Sequence, residues 1–215
     1  MPTTGSSSVI EEVHNICKTG LAALAIFYFD FRDSDKQDAR RLLSSILTQL
    51  CEQSDNFSEI LSTVFANHGR GSRQPNEAAL LECLKRMLKL PGQGALYLVL
   101  DGLDECPDSS GRPTSREQVL VIVQDLIDLQ LPHLHLCVTS RPEIDIRDAL
   151  EPLAFHNVPL HEQAGQRQDI NDYIHDFIQS DPRVQRWRDE DKQMVIETLT
   201  RRASGMCAMT FMFFI

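Results

Sequence analysis

The sequence predicts an α/β fold in which helices cover both faces of a parallel β-sheet, giving three layers. Short, continuously apolar segments alternate along the chain with longer segments whose apolar residues recur at helical spacing. The short segments lack polar alternation, which is typical of strands buried on both faces. Glycine and proline separate many of the segments. Strands that are joined through helices pair in parallel through right-handed crossovers.

The elements follow from these patterns in chain order. Strands are predicted at residues 22–31, 95–101, 134–139 and 156–160. Helices are predicted at residues 39–50, 57–66, 77–90, 116–129 and 144–150, and two more follow residue 166 on either side of residues 180–182. The alternation of strand and helix stops near residues 161–165. We therefore predict an α/β core over residues 1–163 and a helical extension, the start of a lid, over residues 164–215.

The charge balance argues against a nucleic-acid partner. The chain carries 31 acidic and 21 basic side chains, for a net charge of -10. Binding along a phosphate backbone requires a basic face that displaces counterions. We expect a solvated acidic surface, with proteins rather than nucleic acids as partners.

Cysteine spacing and terminal composition predict a cytoplasmic protein. The six cysteines form no CxxC pair and the histidines are not at ligand spacing, so we expect free thiols and no zinc site. The first residues lack the basic start and apolar stretch of a signal peptide. Residues 206–215 are strongly apolar, but a membrane-spanning helix needs about 20 such residues. We expect a buried element there and no membrane partner.

The most specific motif is a buried strand that ends in acidic residues. Four apolar positions lead into Asp101, and Asp104 and Glu105 follow in the next turn. In open α/β sheets, ligands bind outside the carboxyl ends of the strands. A carboxylate held there is suited to Mg²⁺, which prefers hard oxygen ligands. A second acid can orient or deprotonate an attacking water molecule. A strand ending in a single Asp needs only a turn as its explanation, but this combination is the Walker B arrangement of P-loop NTPases.

The next strand, at residues 134–139, also ends in polar residues: Thr139, Ser140 and Arg141. Neighbouring parallel strands end on the same side of a sheet, so Arg141 is expected to face the same crevice as Asp101. Its guanidinium could pair with a γ-phosphate or with the acids themselves. A structural role as the partner of an acidic loop is an equal alternative.

Together, residues 101–106 (DGLDEC) and 138–143 (VTSRPE) resemble the NACHT domain of fungal STAND NTPases. They are most similar to the nephrocystin-3-like N-terminal NTPase module found before repeat domains. Residues 28–32 and 42–50 resemble the segment after the phosphate-binding helix of that family, and the similarity covers about residues 6–205. The resemblance implies that Asp101 is the magnesium ligand and that Glu105, beside Asp104, is the candidate catalytic base. It also implies that Thr139, Ser140 and Arg141 form the sensor region for ATP or GTP with Mg²⁺.

A phosphate-binding loop of the form GxxxxGK[ST] does not occur in the sequence. Gly5 precedes three serines without a lysine, and Lys18 follows the expected first helix, so neither supplies the loop. We therefore expect a chain truncated before this loop, whose incomplete sheet lacks its central strand and leaves two neighbouring edges unpaired. We expect weak nucleotide binding, or none, and no appreciable hydrolysis by this chain.

Two functions remain open from the sequence. The first is a fragment of a NACHT-type STAND nucleotide-switch signalling protein, in a family that self-associates. The second is a non-catalytic interaction or scaffold domain that keeps the NTPase fold and contacts protein partners or intact relatives. A hydrolase or transferase on another α/β fold is weaker, because neither a G-x-S-x-G elbow nor a recognisable Cys/His pair occurs.

Overall fold

The computed structural model describes residues 4–18, 22–67, 74–108, 113–159, 164–181, 183–206 and 211–214. Its α-helices are α1 (Thr4–Cys17), α2 (Ala39–Cys51), α3 (Asp55–Asn67), α4 (Glu77–Leu88), α5 (Ser115–Ile127), α6 (Ile144–Leu150), α7 (Ala164–Ser180) and α8 (Asp189–Met206). Its strands are β1 (Ala22–Tyr28), β2 (Ala95–Asp101), β3 (Leu134–Ser140), β4 (His156–Pro159) and β5 (Phe211–Phe214). Two 3-10 helices cover Ser34–Lys36 and Leu103–Glu105.

The fold is α/β, as predicted. The five strands form one sheet in the order β1-β2-β3-β5-β4. Strand β2 pairs in parallel with β1 on one side and with β3 on the other. In this register Asp101 is opposite Tyr28, and Leu100 is opposite Val138. The carboxyl ends of β1, β2 and β3 therefore meet at one edge of the sheet.

The helices that follow β1 form in positions where a polar cap precedes an apolar stripe. The carboxylate of Asp38 accepts a hydrogen bond from the backbone N–H of Arg41 at the start of α2, and Asn76 does the same for α4. Thr114 and Glu117 form a reciprocal capping box at the start of α5. Each helix then buries its apolar stripe, and each fully buried leucine contributes about 1.5–3 kcal/mol. The buried residues of α2 are Ala39, Leu42, Leu43, Ile46, Leu47 and Leu50.

The free backbone edge of β1 is covered by two glutamines, Gln49 in α2 and Gln53 just after that helix. The side-chain amide of Gln53 accepts from the N–H of Leu24 at 3.0 Å and donates to its carbonyl at 2.7 Å. Gln49 makes the same pair of bonds with Ile26, at 2.9 and 2.8 Å. An open sheet edge can recruit another strand. Here the glutamines satisfy the backbone groups and block that edge.

The expectation of two unpaired neighbouring edges is wrong. Strand β4 follows β3 in the chain through α6, yet the two strands are not neighbours, because β5 lies between them. The N–H of Phe155, directly before β4, donates to the carbonyl of Phe214 at 2.9 Å. Phe213 is fully buried. The apolar end of the sequence pairs here because a strand in this position hides both its backbone groups and an aromatic ring. We call the position that β5 fills between β3 and β4 the strand slot.

The chain forms two compact units. Unit 1 comprises residues 1–157 and 213–215, and unit 2 comprises residues 158–212. The proposed domain boundary at residue 163 stays a prediction. Among the helices of the described residues, none is long and apolar enough to cross a membrane.

Unit 2 contains α7 and α8 and has a small apolar core of its own. Ile174, Ile178 and Val184 are buried there, and Val195 and Ile196 pack against them. The rings of Tyr173 and Phe177 on α7 are exposed and stack on each other with centroids 6.4 Å apart. Trp187 is 46% exposed.

Candidate functional site

Polar residues gather where β1, β2 and β3 end. We call this set the carboxyl rim and define it as Asp30, Asp101, Asp104, Glu105, Thr139, Ser140 and Arg141. Parallel pairing brings these strand ends together, and the N–H of Phe29 continues the ladder by donating to the carbonyl of Asp101 at 2.9 Å. The six predicted site residues therefore lie at one edge of one sheet, all within unit 1.

Asp101 and Thr139 form the buried centre of the rim. Asp101 is 4% exposed and Thr139 is fully buried. The Thr139 hydroxyl donates to the Asp101 carboxylate at 2.5 Å and accepts from the N–H of Gly102 at 2.9 Å. A carboxylate that has left water needs such partners. The hydroxyl at the end of β3 thus fixes the carboxylate at the end of β2.

A tight turn then presents the next two acids. Gly102 has φ 72° and ψ 42°, a left-handed conformation that costs other residues about 1–2 kcal/mol. A Cβ at Gly102 would meet no atom closer than 3.7 Å, so the backbone angle rather than crowding favours glycine. The N–H of Glu105 donates to the Gly102 carbonyl at 2.8 Å and closes the turn. The turn in the DGLDE sequence therefore fixes the direction in which the chain continues after β2.

Asp104 pairs with Arg141 across the rim. One carboxylate oxygen accepts from the backbone N–H of Arg141 at 3.0 Å, and the other lies 3.4 Å from its guanidinium Nε. The Asp104 side chain is 10% exposed, whereas that of Arg141 is 68% exposed. Of the two alternatives for Arg141, the structure shows the pairing with the acidic loop. The exposed guanidinium nevertheless faces solvent and can also reach an anion.

Glu105 and Asp30 occupy the part of the rim beside β1. The carboxylate of Glu105 accepts from the N–H of Phe31 at 3.3 Å, which is a long bond. Asp30 accepts from the Arg32 side chain at 3.0 and 3.1 Å. These hydrogen bonds, followed by that of the Arg32 backbone N–H, lower the pKa of Asp30 to about 2. Arg32 has a raised pKa, mainly because of Asp30 and to a lesser degree because of Glu105.

Arg116 supports the rim from behind and was not identified from the sequence. Its guanidinium donates to the backbone carbonyls of Asp104 at 2.8 Å and Cys106 at 3.0 Å, and it pairs with Asp145 at 3.3 Å. The residue is 8% exposed. A positive charge in the first turn of a helix opposes the helix dipole. An arginine at the first position of the predicted helix (residues 116–129) was therefore a usable signal for a partner outside the helix.

Comparison with protein families identifies the chain. The sequence model of the family described as nephrocystin 3, N-terminal, matches residues 2–141. This chain belongs to the nephrocystin 3 N-terminal family. The match includes the whole carboxyl rim and ends at Arg141. No curated protein and no solved structure matches the chain.

The cysteines near the rim of this nephrocystin 3 N-terminal domain are not suited to nucleophilic catalysis. Burial raises the pKa of Cys106 and of Cys137 to about 12, with nearby acids adding to the effect and Arg116 opposing it at Cys106. The Cys106 thiol also donates to the Gln37 carbonyl at 3.3 Å. Because the thiolate is the reactive species, these thiols act as small apolar groups.

Metal binding at the rim would rest on few protein ligands. Within the described ranges, no three His, Cys, Asp or Glu side chains are grouped so that they could hold a metal ion together. The Asp101 carboxylate and Thr139 hydroxyl are hard oxygen donors, which fit Mg²⁺. Magnesium keeps several waters and commonly takes one or two protein carboxylates together with substrate phosphates. The donor set thus fits a nucleotide-bound Mg²⁺ better than a metal held by protein alone.

A cavity of about 930 Å³ in unit 1 lies away from the rim. Its lining is predominantly apolar and includes Val13, Tyr97, Leu136, Phe155 and Phe214, but no residue of the rim. Apolar cavities of this size are common ligand sites. Its lining includes the titratable side chains of Asp128 and His135 but no lysine or arginine. The rim combines a buried carboxylate with an exposed guanidinium, so we place the candidate chemistry there and not in the cavity.

Proposed function

We propose that unit 1 is the nucleotide-switch module of a NACHT-type STAND signalling protein, and that the carboxyl rim is its nucleotide-facing edge. The observation that carries this proposal is the double link between β2 and β3. Thr139 holds Asp101, and Arg141 pairs with Asp104. A buried acid and an exposed guanidinium at one sheet edge suit a site for Mg²⁺ and phosphate. A change at the phosphate would be passed to both strand ends.

The contacts favour different roles for the three acids. Asp101, with the Thr139 hydroxyl beside it, is the proposed ligand of a nucleotide-bound Mg²⁺, whose chemistry is to neutralise charge on the phosphates. Asp104 already accepts two hydrogen-bond or ion-pair contacts from Arg141, so it positions Arg141. Among the described residues, the Glu105 carboxylate accepts one hydrogen bond, the long one from Phe31, and interacts electrostatically with Arg32. Of the two predicted catalytic acids, Glu105 is therefore the better candidate for orienting water.

We further propose that this chain binds ATP or GTP weakly and is not an enzyme by itself. The sequence contains no GxxxxGK[ST] loop, whose amides and lysine carry much of the phosphate affinity in P-loop NTPases. The positive charges that remain to bind the phosphates would be Arg141 and the Mg²⁺ ion. An affinity of about 1 mM, which corresponds to about -4 kcal/mol, is the order expected from so few contacts. The proposed cellular location is cytoplasmic, and the proposed partners are proteins.

A titration by NMR tests the proposal at the residues that carry it. Mg²⁺-ADP is added to the ¹⁵N-labelled chain, and the amide signals of Gly102, Thr139 and Arg141 are followed. We expect saturable shifts with a dissociation constant of about 1 mM that disappear in Asp101→Asn. The control Asp125→Asn changes an acid that pairs with Lys85 on other helices and should leave the shifts intact.

Each outcome of that titration decides one part of the proposal. Micromolar binding would contradict the predicted weak affinity but would still support the nucleotide-switch module. Equal binding by wild type and Asp101→Asn would show that Asp101 is not part of the binding site. No shift at the rim up to about 10 mM, which means a binding free energy weaker than about -3 kcal/mol, contradicts the nucleotide module.

The second candidate function is a non-catalytic protein-interaction or scaffold domain. It is favoured by large apolar side chains exposed on unit 1, notably Val121 (60%), Ile144 (78%) and Phe155 (86%). Side chains of this kind supply the apolar part of a protein–protein interface when they lie together. The absence of rim shifts in the titration, in a folded chain, would favour this function over the first.

A further inference from the structure

We propose that the strand slot exchanges its strand between chains, so that β5 of one copy can fill the slot of a second copy. The occupant is the same segment, residues 211–214, and the product is a reciprocal dimer. This inference concerns β3, β4 and β5 and does not depend on nucleotide binding.

The first argument is the topology of unit 1. The chain leaves this unit after Asn157 and returns to it only at Phe213, after the whole of unit 2. Strand β5 is therefore connected to the sheet that it completes through a separate compact unit. Strand β5 makes the same contacts whichever copy of the chain supplies it. Exchange of such an identical element is a low-cost route to dimers.

The second argument is that the described contacts of the strand come from backbone pairing and a buried ring. Phe213 is fully buried, and the Phe214 carbonyl accepts the N–H of Phe155. Strand β5 is four residues long. An identical segment from a second chain brings the same buried ring and the same carbonyl. The slot therefore has no means of distinguishing its own strand from that of another copy.

The third argument is the space beside the strand. Phe214 and Phe155 line the cavity of about 930 Å³, together with Leu153 and residues of β2 and β3. Protein interiors are normally close-packed, with few voids larger than a water molecule. Strand β5 is thus packed on the Phe213 side and borders open space on the Phe214 side. A strand with one loosely packed side has fewer contacts to break when it leaves.

The contrast with β1 shows which edge is open to exchange. At β1 the backbone is bonded by Gln49, which belongs to a helix packed on the same sheet, and by Gln53 directly after that helix. Such a cap cannot be replaced by a strand unless α2 moves. At the slot the cap is itself a strand, and any strand of the same pattern fits.

The test uses two variants of the full chain, Phe155→Cys and Phe214→Cys, each with Cys17, Cys51 and Cys207 changed to Ser. The backbone bond between positions 155 and 214 places the two cysteines at a separation that suits a disulfide. The two variants are mixed, oxidised with diamide and separated without reduction. A disulfide between the two different chains forms only when the strand of one copy occupies the slot of the other.

We expect the mixed disulfide to accumulate as the concentration rises from about 10 µM to about 1 mM, because the tethered strand competes at an effective concentration in the millimolar range. While the dimer is the minor species, tenfold dilution should lower its fraction about tenfold. Mixing Phe155→Cys with Val121→Cys, an exposed position on α5, is the matched control and should give no such product.

A chain that carries both Phe155→Cys and Phe214→Cys keeps the proposal falsifiable. An intrachain disulfide in this double variant, without any mixed disulfide up to about 1 mM in the two-variant experiment, would show that the slot exists and does not exchange. If the double variant forms neither an intrachain nor an interchain bond, β5 does not occupy the slot, and the proposal is wrong.

Discussion

The carboxyl rim and the strand slot both involve β3, and they differ in what holds them. At the rim, hydrogen bonds and ion pairs join residues that lie within the family match, such as Asp101 with Thr139. At the slot, a ring from outside that match, Phe213, is buried beside β3. Polar contacts depend on a few atoms in fixed directions. Apolar burial depends on area and is indifferent to which chain provides it.

This difference suggests that the carboxyl rim contributes mainly specificity to unit 1, whereas the strand slot contributes mainly stability. A rim that is fixed by directed bonds can keep the Asp101 carboxylate in place at modest energetic gain, since the net value of each bond is about 1–3 kcal/mol. The slot gives more stability from one side chain but little directional control. The predictions below measure both.

The largest effect is expected at the slot. Phe213→Ala removes a fully buried ring, which typically costs about 3–5 kcal/mol. The matched control is Phe65→Ala on α3, where the ring is 50% exposed and the loss should stay below about 1 kcal/mol. Hydrogen exchange of the amides of Leu98 and Val99 in β2 measures the stability of unit 1 separately from that of unit 2. Equal losses for the two variants would mean that β5 contributes nothing to the sheet.

The second effect is expected behind the rim. Arg116→Met keeps the length of the buried side chain but leaves the Asp104 and Cys106 carbonyls without their donor and Asp145 without its cation. We expect a loss of about 2–4 kcal/mol in urea unfolding.

Arg147→Met is the control for that experiment. Arg147 forms an exposed pair with Glu151 one turn along α6, and such pairs are worth about 0.3–0.5 kcal/mol. A loss no larger in Arg116→Met than in this control would show that Arg116 does not support the turn after β2.

The third effect is expected at the centre of the rim. Thr139→Val keeps the shape of the side chain and removes the hydroxyl between Asp101 and the N–H of Gly102. A buried bond to a charged group is worth about 1.5–3 kcal/mol, and we expect a loss in that range. Thr63→Val, which removes an exposed hydroxyl on α3, should cost less than about 0.5 kcal/mol. Unchanged stability in Thr139→Val would argue that Asp101 is solvated rather than held by Thr139.

Much of unit 1 was predictable from sequence because its signals are local. The bounds of β2 and α6 match the predicted residues, and the DGLDE motif placed three acids at the correct edge of the sheet. The pairing of Arg141 with Asp104 was one of two open alternatives, because spacing gives the strand end but not the partner of a long side chain.

The remaining features depend on contacts between distant parts of the chain. Gln49 reads as an ordinary polar position of an amphipathic helix and Gln53 as a polar residue after it, since helical spacing does not show which backbone they reach. The place of β5 was missed because an apolar segment shows that it is buried but not beside which strands. The roles of the rim residues toward nucleotide remain predictions.

The smallest predicted effect is a change in the pKa of Asp30, and it tests the polar contacts of the carboxyl rim. Asp30 has a folded pKa of about 2, below its ordinary 3.8, because Arg32 donates to it. A lowered carboxylate pKa stabilises the fold above about pH 3.8, and this contribution is lost as the pH falls toward 2. In Arg32→Ala, an NMR titration of the Asp30 carboxyl should give a midpoint that rises from about 2 but stays below 3.8, because the backbone N–H of residue 32 and Lys36 still favour the carboxylate. Asp181 in unit 2 is the internal control, because Arg183 likewise lowers its pKa to about 2 and the substitution leaves that pair intact. An Asp30 midpoint that stays near 2 in Arg32→Ala would assign the lowered pKa to the backbone near Asp30 rather than to the Arg32 guanidinium. The Asp30 carboxylate would then stay ionised at low pH without the exposed side chain of Arg32.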